Sequence, residues 1–222
     1  MQVDCDAKSK DHFLMLWEFA LTSFVTLFVV VDPIGLIPSF MATTQNLPAS
    51  THKRVGITAI LISALILVGT ALGGNWLLSR LGITLPAFRI SGGFLLFAVA
   101  SEMVLGVRSG RETRQAEQAI EDVSQNVAAF PLAIPLIAGP GAITATILIA
   151  GNATEPQLFL VLVGVITLVL TICAAAFFLA TRLSRALGGA SHVVMSKLFG
   201  IVLAALAVQF VIDGIRTTFG IG

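Results

Sequence analysis

Two short clusters of proline and glycine interrupt otherwise apolar stretches: Asp32-Pro33-Ile34-Gly35 and Gly139-Pro140-Gly141-Ala142. In lipid a helix satisfies its own backbone, so an interruption leaves N–H and C=O groups that need partners from protein or ligand. Aspartate before proline fits a helix start: Asp32 can cap it, and Pro33 suits the first position, where no N–H is needed. A half-helix then runs over about 34–43, and Gly139-Pro140 starts a second over about 141–150 in the same way. Each N-terminus offers unpaired N–H donors and about half a positive charge, which suits a carboxylate. The chain just before each break, at 29–31 and 137–138, offers carbonyls that suit an ammonium group or a cation. Together these form a cradle for a small zwitterion. Gly35, Gly139 and Gly141 let backbone approach the ligand, and Ser39, Thr144 and Thr146 add hydroxyls. The candidate binding residues are therefore Asp32, Pro33, Ile34, Gly35, Ser39, Gly139, Pro140, Gly141, Thr144 and Thr146.

Plainer accounts exist for each feature. Proline and glycine are common in membrane helices as simple kinks. Asp32 reads either as a proton or cation carrier or as a cap alone, and both readings stay open. Two breaks at corresponding positions of two repeats favour a binding role.

The elements that hold these breaks are apolar spans. Of 222 residues, 56% are hydrophobic and 11% charged, with a mean hydropathy of +0.96. Soluble domains carry about 25% charged residues, so the expected class is an all-α membrane protein with one transmembrane domain over 1–222. Six spans are expected, near 13–43, 55–78, 86–106, 127–150, 157–180 and 198–219, the first and fourth being broken. A charged linker at 107–126 separates a first repeat at 13–106 from a second at 127–222. Pro33 matches Pro140, Ser79-Arg80-Leu81-Gly82 matches Ser184-Arg185-Ala186-Leu187-Gly188, and Arg89-Ile90-Ser91-Gly92 matches Lys197-Leu198-Phe199-Gly200, at offsets of 105 to 108. Three spans per repeat is odd, so the repeats must be inverted. The stretch 13–43 is too long for one straight span, and a broken span or a re-entrant hairpin near 30–45 both fit.

Basic residues set the orientation. Lys53, Arg54, Arg108, Arg111, Arg114, Arg182, Arg185 and Lys197 share one side, against five on the other. The first side is read as cytoplasmic, which makes the linker cytoplasmic and both termini periplasmic. Trp17 and Trp76 then anchor the outer interface. No removable signal peptide is expected at the N-terminus.

Several classes are set aside. A net charge of +1 without a basic stripe argues against nucleic acid. His12, His52 and His192 lack metal-ligand spacing, and no phosphate loop or nucleophile elbow is present. No enzyme activity, cofactor or metal is expected. Cys5 and Cys173 make no disulfide framework, and Cys173 reads as a packing residue. Glu102 and Asp213 are expected at solvated span ends, Gln209 in an interhelical hydrogen bond, and Arg89 and Lys197 snorkelling to opposite interfaces. Gly69 and Gly73 have small-xxx-small spacing for helix packing, compatible with a homo-oligomer.

Further residues carry a likeness. Phe130-Pro131-Leu132-Ala133-Ile134-Pro135, followed by Ala138-Gly139-Pro140-Gly141, closely resembles the motif of the MarC family of bacterial inner-membrane proteins. So do Gly82-Ile83-Thr84-Leu85-Pro86 with Arg89-Ile90-Ser91-Gly92-Gly93, and the closing Gln209-Phe210-Val211-Ile212-Asp213-Gly214-Ile215. The resemblance covers nearly the whole chain. It implies a multi-pass protein of the bacterial inner membrane that transports small neutral amino acids such as glycine and alanine. The breaks at 32–35 and 139–142 are the matching positions. The expected function is thus a secondary transporter or exporter of a small zwitterionic amino acid, driven by a proton or sodium gradient, since no ATP-binding motif is present. Efflux of antibiotics or other toxic compounds, and a structural or regulatory subunit that moves nothing, are the alternatives.

Overall fold

Prolines mark where helices begin. A proline costs nothing in the first turn, because its missing N–H would have no partner there. The computed structural model describes residues 2–44, 49–107 and 137–220, with the side chains of 2–11, 43, 49–50 and 181–192 excepted. Among the described residues there are seven α-helices and no strand: α1 (Gln2–Val31), α2 (Leu36–Thr44), α3 (Ala49–Arg80), α4 (Leu85–Leu105), α5 (Pro140–Asn152), α6 (Pro156–Phe178) and α7 (Ala180–Phe219). Pro86, Pro140 and Pro156 lie in the first turns of α4, α5 and α6. Thr84 caps α4, its hydroxyl accepting from the Ala87 N–H at 3.3 Å, which explains the Thr84-Leu85-Pro86 string.

Five helices contain stretches long and apolar enough to cross a membrane: His12–Val31, Thr51–Arg80, Leu85–Leu105, Pro156–Phe178 and Val193–Phe219. The expected first stretch divides at 32–35 into α1 and α2. Of the expected fourth span, α5 is the described part, and its 13 residues fall well short of a ~30 Å core. Residues 127–136 and the linker from Arg108 onward lie outside the described residues.

Apolar side chains face both ways, as lipid permits. Leu65, Phe94 and Leu160 are largely exposed, while Leu27, Leu96, Leu148, Leu162 and Leu203 are fully buried. Lipid is as apolar as leucine, so helices gain by close packing rather than by leaving water. α4 and α7 do this through glycine. A Cβ on Gly93 would stand 2.7 Å from the Ala207 carbonyl oxygen, and one on Gly200 would stand 3.1 Å from the Ala100 carbonyl oxygen. Gly214 sits equally close to Pro86 and Ile90, so the two helices run antiparallel. α1 packs on α6 as α3 packs on α5, and α3 also meets α6.

Some expectations need correction. Gly82 ends α3, with the Ile83 N–H reaching back to the Leu78 carbonyl at 2.9 Å, whereas Gly188 lies inside α7. Those two strings match as letters, not as structure. Gln209 donates to Asp213 of its own helix at 2.8 Å rather than to a neighbouring helix. Arg89 hydrogen-bonds the Asn152 side chain, tying α4 to the end of α5. One carboxylate oxygen of Glu102 is shut off from solvent, although a solvated span end was expected. Gly69 and Gly73 have no close neighbour among the described residues, so they serve no close packing there. Trp17 and Trp76 are exposed as anchors should be, and the Arg80 guanidinium lies over the Trp76 ring at 5.6 Å.

Candidate functional site

At the first break, a proline and an aspartate together replace the normal helix ladder. The Asp32 N–H closes the last turn of α1 by donating to the Phe28 carbonyl at 2.9 Å. Pro33 has no N–H, so the Val29 carbonyl lacks its usual donor four residues on. Asp32 then takes φ = 50°, the left-handed region, and is the one non-glycine residue there among those described. Aspartate tolerates this better than most side chains. Its carbonyl accepts from the Leu36 N–H at 3.1 Å and its Oδ1 from the Gly35 N–H at 2.9 Å. Asp32 therefore ends α1 and closes the turn at 33–35 that leads into α2. The helix starts at Leu36, so Pro33 lies in the turn rather than at the expected first helical position.

Gly35 is required by this arrangement. A Cβ there would stand 2.2 Å from Oδ2 and 2.5 Å from Cγ of Asp32, inside the volume of the carboxylate. The carboxylate is buried, with Asp32 only 3% exposed. Its Oδ2 accepts from the Ser196 hydroxyl of α7 at 3.0 Å. The buried Cys173 lies on α6, the helix that packs against α1. Phe28 packs edge-on against Phe199 at 5.6 Å, a second link between α1 and α7.

The second break is built differently. Gly139 is an extended N-cap with φ = −75° and ψ = 174°, Pro140 follows it, and the Gly139 carbonyl accepts from the Ile143 N–H at 3.0 Å. Among the described residues no side chain caps this helix start. Gly141 faces α1 and α4: a Cβ on it would meet Val30 at 3.3 Å, Val99 at 3.5 Å and Leu96 at 3.6 Å. Val30 stands two residues before Asp32, so the two breaks are neighbours in space. Thr26 lies one turn earlier on the Val30 face of α1. It is buried, and its Oγ1 has no hydrogen-bond partner among the described residues.

The proposed site residues thus fall into groups. Asp32, Pro33 and Gly35 are buried at the first break, with Ile34 half-buried, and Gly139 and Gly141 are buried at the second, with Pro140 exposed. The Thr146 hydroxyl is committed to the Ala142 carbonyl at 2.7 Å. The Thr144 methyl packs where a Gly92 side chain would stand, and Ser39 is fully buried on α2. Sequence reading missed Ser196 and Thr26. Each is one hydroxyl among many on a long helix, and nothing local distinguishes it.

Comparison with known proteins agrees with this architecture. The model for the MarC family of integral membrane proteins matches residues 17–219. The chain belongs to the MarC family. Among its relatives, a UPF0056 membrane protein of Archaeoglobus fulgidus is 35% identical over 199 residues, covering 89% of this chain and 92% of that protein. The UPF0056 membrane protein YhcE of Escherichia coli is 32% identical over 196 residues, covering 88% and 91%. No solved structure matches the chain. This MarC protein is an integral multi-pass membrane protein whose relatives span bacteria and archaea.

Proposed function

We propose that this protein is a secondary transporter of small neutral amino acids, moving a glycine- or alanine-sized zwitterion past the paired breaks. The carrying observation is that an α5 start with no side-chain cap among the described residues packs through Gly141 on Val30, two residues before the buried Asp32. The helix start offers N–H donors and partial positive charge to a substrate carboxylate. Asp32 and the Val29 carbonyl offer acceptors to its ammonium group. Thr26, with its unpartnered hydroxyl on the same face, adds a further polar contact.

In this reading the molecule is two inverted three-span repeats in a bacterial inner membrane, with both termini periplasmic. Reciprocal packing supports the repeat. Gly93 meets Ala207 as Gly200 meets Ala100, and the partners Gly93 and Gly200, Ala100 and Ala207, and Pro33 and Pro140 are each 107 residues apart. The contact of α2 with α6 likewise mirrors that of α5 with α3. Rocking of one repeat against the other would give alternating access to a midplane site, with a proton or sodium gradient as the driving force and Asp32 as the coupling group.

Flux of labelled glycine and alanine into proteoliposomes, with and without proton or sodium gradients, tests the proposal. Gradient-dependent amino-acid flux is the expected result. Drug flux without amino-acid flux would favour antibiotic efflux, and no flux from folded protein would favour a non-transporting subunit.

A further inference from the structure

Asp32 and Ser196 are 164 residues apart in sequence, one at the first break and the other on the last helix, yet their side chains meet at 3.0 Å. A buried carboxylate has lost its hydration and depends on the groups that donate to it. At Asp32 one donor is the Gly35 N–H, fixed by the turn itself. The other is the Ser196 hydroxyl, the one donor that comes from the opposite half of the chain among the described residues. Ser196 is half-buried, so its hydroxyl has water as an alternative partner whenever the halves part.

We propose that Ser196 is a positioning residue. Through Asp32 it fastens α7 to the first break and holds the two halves in the closed arrangement seen here. This rests on the reading above, in which the halves move against each other. The Phe28–Phe199 edge contact joins the same two elements as this bond, α1 and α7. Cys173 is fully buried on α6, which packs against α1, so its thiol reports on whether this region is shut.

The test uses full-length protein in proteoliposomes with Cys5→Ser, which leaves Cys173 as the one thiol. The rate of Cys173 modification by N-ethylmaleimide is measured without substrate in Ser196→Thr and Ser196→Val, which have the same size and differ by the hydroxyl. Ser196→Val should raise the rate about tenfold and Ser196→Thr should stay within about twofold of the parent, the scale of one charge-assisted hydrogen bond. Ser196→Ala, a smaller change, should follow the valine variant and replaces it if that variant does not fold. In an Asp32→Ala background the hydroxyl should make no difference. Equal rates for the threonine and valine variants, or a difference that persists without Asp32, overturn the proposal. Glycine flux through the same vesicles is read separately. Lost flux in the parent overturns the amino-acid reading, whereas hydroxyl-independent labelling with intact flux overturns the fastening role of Ser196.

Discussion

The first and second breaks share a proline and close glycines, but they treat their helix starts in opposite ways. At the first, the chain supplies its own anion: the Asp32 carboxylate takes the Gly35 N–H and is held from across the molecule by Ser196. At the second, Gly139 stands at the N-cap and, among the described residues, no side chain caps the helix. Among those residues, one break therefore carries a buried carboxyl group and the other a helix start without a side-chain cap. The pair is not two copies of one cradle. In the proposed reading it is a polarised site whose two ends suit the ammonium and carboxylate groups of a zwitterion.

The sharpest way to break that contrast is to remove its acidic end. Asp32→Ala deletes a buried carboxyl group and the hydrogen bonds to Gly35 and Ser196, and amino-acid flux should fall about a hundredfold or more. Asp32→Asn keeps an acceptor for Gly35 and tolerates the left-handed φ. It should retain stability within about 1 kcal/mol while still losing most flux. Normal flux in Asp32→Asn would mean that the first break is only a joint.

Next in size is the contrast between glycines. Gly35→Ala forces a methyl into the Asp32 carboxylate and should destabilise the protein by about 1–3 kcal/mol in thermal unfolding. Gly141→Ala meets neighbours at 3.3 Å and beyond and should cost less than about 1 kcal/mol. Gly141→Leu should instead cripple substrate binding while membrane insertion stays normal. Equal damage from the two alanine variants would show that the second break is filled as tightly as the first.

A third change makes the second break copy the first. Gly139→Asp supplies the missing cap on a backbone any residue can adopt, so stability should hold or rise by about 0.5–1 kcal/mol. The apparent affinity for glycine should drop about tenfold, as the added carboxylate competes for the helix start. Unchanged affinity would remove the α5 N-terminus from the site. The smallest effect is expected at Thr146, whose hydroxyl is already spent on Ala142. Thr146→Ala should change flux less than about twofold.

Much of the protein was legible from local chemistry. The apolar spans follow from length and composition. The helix starts at Pro86, Pro140 and Pro156 follow from a residue that has no N–H to lose. That Asp32 would interrupt the helix was likewise readable from its place before Pro33, although the new helix starts at Leu36 and Asp32 closes the turn between. What misled was similarity of letters without similarity of backbone. Ser79–Gly82 ends a helix and its apparent counterpart continues one, because Gly82 turns left-handed and Gly188 stays helical. Gln209 also found its partner one turn away in its own helix, where the sequence offered Asp213 at the right spacing.

By itself the sequence determined a membrane-embedded helical chain with two breaks, since proline, glycine and apolar length act over a few residues and need no partner. Only the tertiary structure decided which break, among the described residues, is met by side chains and which is not. That depends on the Asp32 carboxylate turning back onto Gly35, on Ser196 arriving from 164 residues away, and on Gly141 packing against Val30, two residues before Asp32. A long-range hydrogen bond leaves no periodic trace in the chain, because each end is a common residue and the partnership exists only once the helices are packed.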